Sequence, residues 1–338
     1  MGFTTPIKRV LFLLLALNLT GCQTMVRDMA ASGMVTFGNN YISPWFMASE
    51  DTDVMCAMGE GMAAMTFPLG PNIDPMIPML TLASGMCADE RAKEEELRYL
   101  RAMRKDDVAT AQDARTMQKR WQHLAAKRNY FGYKAAVRAF GEPGGECPTF
   151  KDRNEEMAYM FGLLGGIQAF EADASSGNAA KVPMGIVPKV LRGMECLESD
   201  EYWGIPDAVV ASMEIMTASI GNEEEKLQEG FALLDQAAKA GDARGVRMVH
   251  MLQATIYSRQ GKPERVKQVI REHVAAKKDR PADPSLNLLD EMATRGIKLI
   301  SDRLWTLNTG QRTPYGKLGT FWDDKPDLDS ALEIDDLL

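Results

Sequence analysis

The stretch GNEEEKLQEGFALLDQAAKAGDARGVRMVHMLQATIYSRQGKP, Gly221 to Pro263, decides the fold. Two runs, 223–240 and 242–260, place apolar residues three and four apart, the spacing that paints one side of an α-helix. They are bounded by Gly221-Asn222, Gly241-Asp242 and Gly261-Lys262-Pro263, residue types that end helices. No run alternates with period two. The expected class is all-α, built of stacked antiparallel helix pairs.

The glycines recur every 20 residues, at 221, 241 and 261. A helix–turn–helix unit of about 40 residues falls near the roughly 34–40-residue period of tetratricopeptide-type repeats. AKAGDA and GKPERVKQVI resemble turns and second helices of that family, which implies a tetratricopeptide-like superhelix. Working outward, helices are expected at 262–277 and 284–308 downstream. Upstream they are expected at 206–219, 183–198 and 152–175. Gly141-Glu142-Pro143-Gly144-Gly145 is the clearest loop. Residues 106–140 read as a helical pair. A helix from near Ile73 to Arg104 tolerates Pro75 and Pro78 in or near its first turn. Another runs from the acidic start Glu50-Asp51-Thr52-Asp53 to about Phe67, where Pro68 and Pro71 break it. The helical-repeat domain thus spans 50–308. Residues 309–338 are acidic and aperiodic, and Asp323, Asp324, Asp335 and Asp336 suggest a loosely ordered tail.

Composition agrees. Hydrophobic residues make up 45% and charged residues 25% of 338 positions, which excludes wholesale disorder. Aromatics at 7% argue against a β-sandwich or barrel. A formal charge of -8 removes the electrostatic case for binding nucleic acid.

The first residues read as an address. Lys8 and Arg9 precede the apolar run Val10–Leu17, which is too short to span a bilayer. Leu19-Thr20-Gly21-Cys22 follows. This order resembles a bacterial lipoprotein signal and its lipobox. The resemblance implies cleavage after residue 21, acylation of Cys22, and, since Gln23 is not Asp, retention in the outer membrane facing the periplasm. Without Lys8 and Arg9 the chain keeps 37 basic against 47 acidic residues, a charge of −10. No later stretch is apolar enough to span a membrane. Residues 22–49 form a lipidated lead that reads as a short helix and loop.

Four cysteines remain, Cys56, Cys87, Cys147 and Cys196. None has a partner at zinc-ligand spacing, and an oxidising compartment makes disulfides the default. Cys56 and Cys87 are equidistant from position 71.5, inside the turn Pro68-Leu69-Gly70-Pro71, so they face each other across an antiparallel hairpin. Cys147–Cys196 follows by elimination.

Catalytic signatures are missing from the sequence. There is no His-Glu-x-x-His, no Gly-x-Ser-x-Gly and no phosphate-binding glycine loop, and no cofactor is expected. His123, His250 and His273 lie far apart, and His250 between Met248 and Met251 reads as a packed or partly exposed helix residue. Gly162, Gly165 and Gly166 suit close helix packing, because no strand precedes them. Eleven of the 22 methionines after Met1 fall between Met25 and Met86. Met55, Met58, Met62 and Met65 share one helix side. They read as a core stripe, as an adaptable surface for a partner or apolar ligand, or, least favoured, as a copper(I) site. Tyr202-Trp203 either lines a cavity or supports the turn into the next helix. Trp45-Phe46 either touches the lipid interface or caps the core. The basic run Arg115, Lys119, Arg120, Lys127 and Arg128 reads as a solvated helix side, with an anionic-ligand site as the alternative.

Along its mature length the chain also resembles the T-component lipoproteins associated with TRAP-type transporters (TatT-like proteins). The lipobox, the acidic start at 50–53, the pair 54–67 and 73–89 around Pro71-Asn72, and Ala92–Tyr99 follow the family's order. So do EEMAYMFGLLGGIQAF (155–170), Pro183–Leu197, Tyr202-Trp203-Gly204 and Leu289–Leu304. The chain departs from it at its extra cysteines, at a shortened Gly-rich turn, and at Asp290-Glu291, where the family tends to have Ala-Asn. The resemblance implies a non-enzymatic lipoprotein. It implies docking to the periplasmic solute-binding subunit of a TRAP transporter. It further implies a homo-oligomer, with a trimer as a guess, and an apolar cavity for a hydrophobic or carboxylated ligand. The competing reading is a structural adaptor for protein assembly in the cell envelope.

Overall fold

The structure, a computed structural model, describes residues 23–325. Helices dominate, and no strand occurs among the described residues. α1 covers residues 23–37 and passes through a π-helical turn, Gly38–Ile42, into α2, Ser43–Met47. There follow α3 (Thr52–Thr66), α4 (Ile77–Arg104), α5 (Val108–Phe140), α6 (Arg153–Ser176) and α7 (Ile186–Met194). The chain continues as α8 (Ile205–Gly221), α9 (Glu224–Arg244), α10 (Met248–Arg259), α11 (Pro263–Asp279) and α12 (Asn287–Thr309). Residues 1–22, with the expected lipoprotein signal and the expected acylation at Cys22, and residues 326–338, the end of the expected tail, lie outside the described residues.

The fold gathers into two compact units. The first comprises residues 23–92, 117–201 and 284–288; the second comprises 93–116, 202–283 and 289–325.

The first unit is built on close helix approach. α3 and α4 form the expected antiparallel hairpin. At Gly59 a Cβ would fall 2.6 Å from the Ser84 backbone nitrogen and 2.8 Å from the Leu80 carbonyl oxygen, so only glycine lets the two backbones meet. Three residues earlier, Cys56 is bonded to Cys87 with their Cα atoms 5.7 Å apart, and Cys147 to Cys196 at 5.4 Å. Both pairs are those read from the sequence. α5 packs on α6 through Gly162, where a Cβ would sit 2.3 Å from that of Ala136, and Gly166 faces Tyr133 and Val190. Asp152 caps α6 by accepting from the Asn154 and Glu155 amides, and Gly177 ends it in the left-handed region at φ 88°. One core cluster joins Ala31 of α1 to Ile73, Met76, Ile77 and Ala135.

Residues 108–140 form one helix rather than the expected pair. They contain no proline, and Gly132, their one breaker, is needed for packing: a Cβ there would meet the Thr81 hydroxyl at 2.0 Å.

In the second unit α8 packs along α9, α9 and α8 pack on α10, and α10 packs on α11, the neighbour pattern of stacked hairpins. The expected break at Gly241 is shifted. Gly241 stays inside α9, where a Cβ would meet the Val246 carbonyl oxygen at 2.6 Å, and the helix stops at Gly245, φ 69°. Residues 310–325 are also better ordered than the acidic composition suggested. Phe321 is buried, and Lys267 donates to Asp323 at 2.5 Å. Arg271 donates to Asp324 at 2.6 Å, and the Trp305 indole donates to the Thr320 carbonyl at 3.1 Å. Asp323 and Asp324, two of the four aspartates that signalled disorder, are ion-pair partners for two α11 cations, and Asp335 and Asp336 lie outside the described residues.

Candidate functional site

The residues selected for a ligand or partner surface divide. On α3, Met55 is buried, Met58 and Met62 are half-buried, and Met65 is 66% exposed. Met62 packs against the cluster around Ile77. The stripe is thus core at its start and surface at its end. Tyr202 and Trp203 are both buried in the second unit, with their rings edge to face at 6.1 Å. They hold the turn into α8, where Trp203 and Gly204 take φ values of 57° and 76°. As surface residues, Met55, Tyr202 and Trp203 are therefore corrected. Trp45 and Phe46 separate too: Phe46 is buried, and Trp45 is exposed.

In the basic run on α5, Arg115, Lys119, Arg120 and Lys127 are exposed, the solvated side that the sequence suggested, and Arg128 is half-buried. Arg128 donates to Glu60 at 2.9 Å and to the Ser84 carbonyl at 2.7 Å, and Arg115 lies over the Tyr99 ring. Glu60 also accepts from Arg91 at 3.0 Å. Burial pushes the Glu60 carboxyl up, but hydrogen bonds from Arg128 and Arg91 outweigh it and hold the group below its usual range. A groove lined by Thr24, Met25, Asp28, Met29 and Ser32 opens on α1.

Sequence reasoning missed the polar cluster at the centre of the second unit. α10 and α11 bring two of the three histidines together, with the Nδ1 atoms of His250 and His273 3.4 Å apart. Both rings are buried. His250 Nε2 lies 3.3 Å from the Asp242 carboxylate at the end of α9. His273 Nε2 lies 3.0 Å from the Thr294 hydroxyl of α12. Lys277 donates to that hydroxyl at 2.9 Å and to Glu291 at 2.6 Å. Arg247, wholly buried, donates from its backbone amide and its guanidinium to Asp290, at 3.1 and 2.9 Å. It also donates to the carbonyls of Ala276 and Arg280.

Two contacts stop short of hydrogen bonding. Arg247 Nε and Asp242 Oδ1 are buried without a hydrogen bond and lie 3.7 Å apart, and Asp290 Oδ2 lies 3.8 Å from Lys277 Nζ. With Nδ1 facing Nδ1, one ring must accept the proton that the other donates, so the pair is stable with at least one bare nitrogen. Burial pushes His273 down to about 3, aided by the nearby His250, Lys277 and Arg247, so its ring is neutral at ordinary pH. The closed-off imidazole pair, flanked by Asp242, Arg247, Asp290 and Lys277, orients α10, α11 and α12 on one another. The signal for it was Asp290 in the run Leu288-Leu289-Asp290-Glu291-Met292-Ala293, a charge in core-facing company.

Among the described residues, no group of three or more His, Cys, Asp or Glu side chains converges as a metal ion requires. No helix among them is long and apolar enough to cross a membrane. Comparisons with protein families, curated proteins and solved structures return no match to this chain.

Proposed function

We propose that this chain is a non-enzymatic lipoprotein, anchored in the outer membrane through acylated Cys22 and facing the periplasm. Its task is to dock the periplasmic solute-binding subunit of a TRAP-type transporter and to bind or pass a small hydrophobic or carboxylated ligand. The observation that carries this reading is a conjunction. A lipobox leads directly into an all-helical body whose first hairpin is closed by Cys56–Cys87. Disulfides persist in oxidising compartments, which agrees with export, and stacked helix pairs are scaffolds for holding other proteins. The TatT-like reading rests on the order of the sequence motifs from 50–53 to Leu304. Met65, exposed at the end of the α3 stripe, supplies an adaptable apolar contact.

Cross-linking the native lipoprotein in cells, purifying it from outer membranes and identifying the attached proteins by mass spectrometry tests this. Recovery of a solute-binding subunit is the expected result. Recovery of envelope-assembly factors alone replaces the transport reading with the adaptor reading.

A further inference from the structure

Residues 23–47 run as helix, π-helical turn and helix, and they start immediately after Cys22. The inward side is occupied. Ala31, Gly38, Ser43, Phe46 and Met47 are buried, and Met34 and Val35 pack on the cluster around Ile77. The outward side carries large apolar groups as well, with uncharged Gln23, Thr24, Ser32, Thr36 and Asn40 among them. Met25, Val26 and Met29 are exposed, and Phe37, Tyr41 and Trp45 are 55%, 68% and 62% exposed. With Met25 beside Val26, the side chains of Val26, Met29, Phe37, Tyr41 and Trp45 share one outward side of the segment, a stripe interrupted at Gly33, which carries no side chain. Phe37 and Tyr41 stack along it with ring centroids 5.4 Å apart. No exposed residue from 23 to 49 is charged; Arg27 and Asp28 are half-buried and paired to each other at 2.9 Å. A helix with large apolar groups on both sides needs an apolar phase on both sides.

We propose that this outward stripe lies flat in the lipid–water interface of the membrane that holds Cys22. The inference rests on the lipoprotein reading. An acylated residue 22 fixes residue 23 at the bilayer surface, and the stripe begins there. Residues 23 to 45 rise about 33 Å along a helix. Standing upright, the segment would lift Trp45 clear of the headgroups. Lying flat, it puts all six large apolar side chains at the interface together. Tyr and Trp are the amphipathic rings that this depth favours. With no basic residue on the stripe, the attachment is apolar in origin and indifferent to lipid charge.

The test uses the full acylated protein in phosphatidylcholine vesicles whose acyl chains are brominated, with Trp45→Phe as the comparison. Bromine quenches only nearby indoles. The expected result is that the emission lost in Trp45→Phe is the emission that bromolipid quenches, equally in vesicles with and without phosphatidylglycerol. Tyr41→Trp placed in the Trp45→Phe background restores the quenching. Trp45 open to aqueous iodide but unquenched by bromolipid overturns the proposal. Trp45 shielded from both quenchers places a second protein surface there and overturns it equally. Mass spectrometry of the same sample separates the two levels. Unacylated Cys22 sinks the lipoprotein reading and this inference with it, whereas acylated Cys22 with unquenched Trp45 sinks the docking alone.

Discussion

The α3–α4 hairpin and the α10–α12 cluster hold helices together by opposite means. The hairpin uses a disulfide and a glycine that lets two backbones touch, with Met55 and Ala63 buried between. Glu60, at the face between the two helices, is partly exposed and compensated by Arg91 and Arg128. The cluster uses Arg247, Asp290 and two imidazoles, all closed off from water. Covalent and dispersion contacts depend little on pH or on completeness. Buried charges depend on both, because each partner's desolvation is offset only while the other is present. The first region should therefore tolerate acid and respond to reductant, and the second the reverse.

The largest effect is expected from Asp290→Ala. It leaves Arg247 charged, buried and short of its main partner, a loss of about 3–5 kcal/mol. Chemical denaturation would read this as a lower midpoint, and a change below about 1 kcal/mol would show that the carbonyls of Ala276 and Arg280 suffice. Cys56→Ser with Cys87→Ser comes next. The bond closes a 31-residue separation, and loop-closure entropy puts its contribution at about 3–4 kcal/mol. With Cys147 and Cys196 already changed to Ser, so that only this bond is left to reduce, a thiol should reproduce most of that loss and leave Asp290→Ala additive to it.

Acid sharpens the contrast. The unfolded chain protonates His273 as pH falls through 6.5, while the folded chain resists until about 3. Stability is thus fully present above 6.5 and lost as pH falls, by about 1.4 kcal/mol per unit and about 2 kcal/mol by pH 5. In His273→Gln the slope between pH 6.5 and 5 should disappear. Glu60, held below its usual range, contributes stability above about 4.5 that is lost only at lower pH. A denaturation series that kept its slope in His273→Gln would transfer the acid sensitivity elsewhere. The smallest effect is expected along one helix. Met65→Ala, at an exposed position, should stay within about 0.5 kcal/mol of the parent. Met55→Ala should cost about 2–4 kcal/mol.

The hairpin was legible in the sequence because its symmetry is local. Two cysteines equidistant from a turn, and Pro68 to Pro71 to make that turn, state the pairing without reference to the rest of the chain. The junction at Gly241 was misread for the opposite reason. A glycine is used both where φ is positive and where a neighbour is close, and only the neighbour, here the Val246 carbonyl, tells which. The same ambiguity applied to Gly132 in α5, whose neighbour is Thr81 of α4. The histidine pair was invisible because 23 residues separate its members along the chain.

By itself, the sequence determined that this chain is helical, where most helices begin and end, and which cysteines join across the first hairpin. These follow from spacings of three and four residues, caps and breakers, which act within a turn or two of the helix. The tertiary structure alone decided that Trp45 faces out while Phe46 faces in, that Tyr202 and Trp203 are interior, that His250 meets His273, and that Asp323 and Asp324 pair with α11. Each of these depends on which helix side is covered, and covering is supplied by residues distant in sequence, whose approach no local pattern encodes.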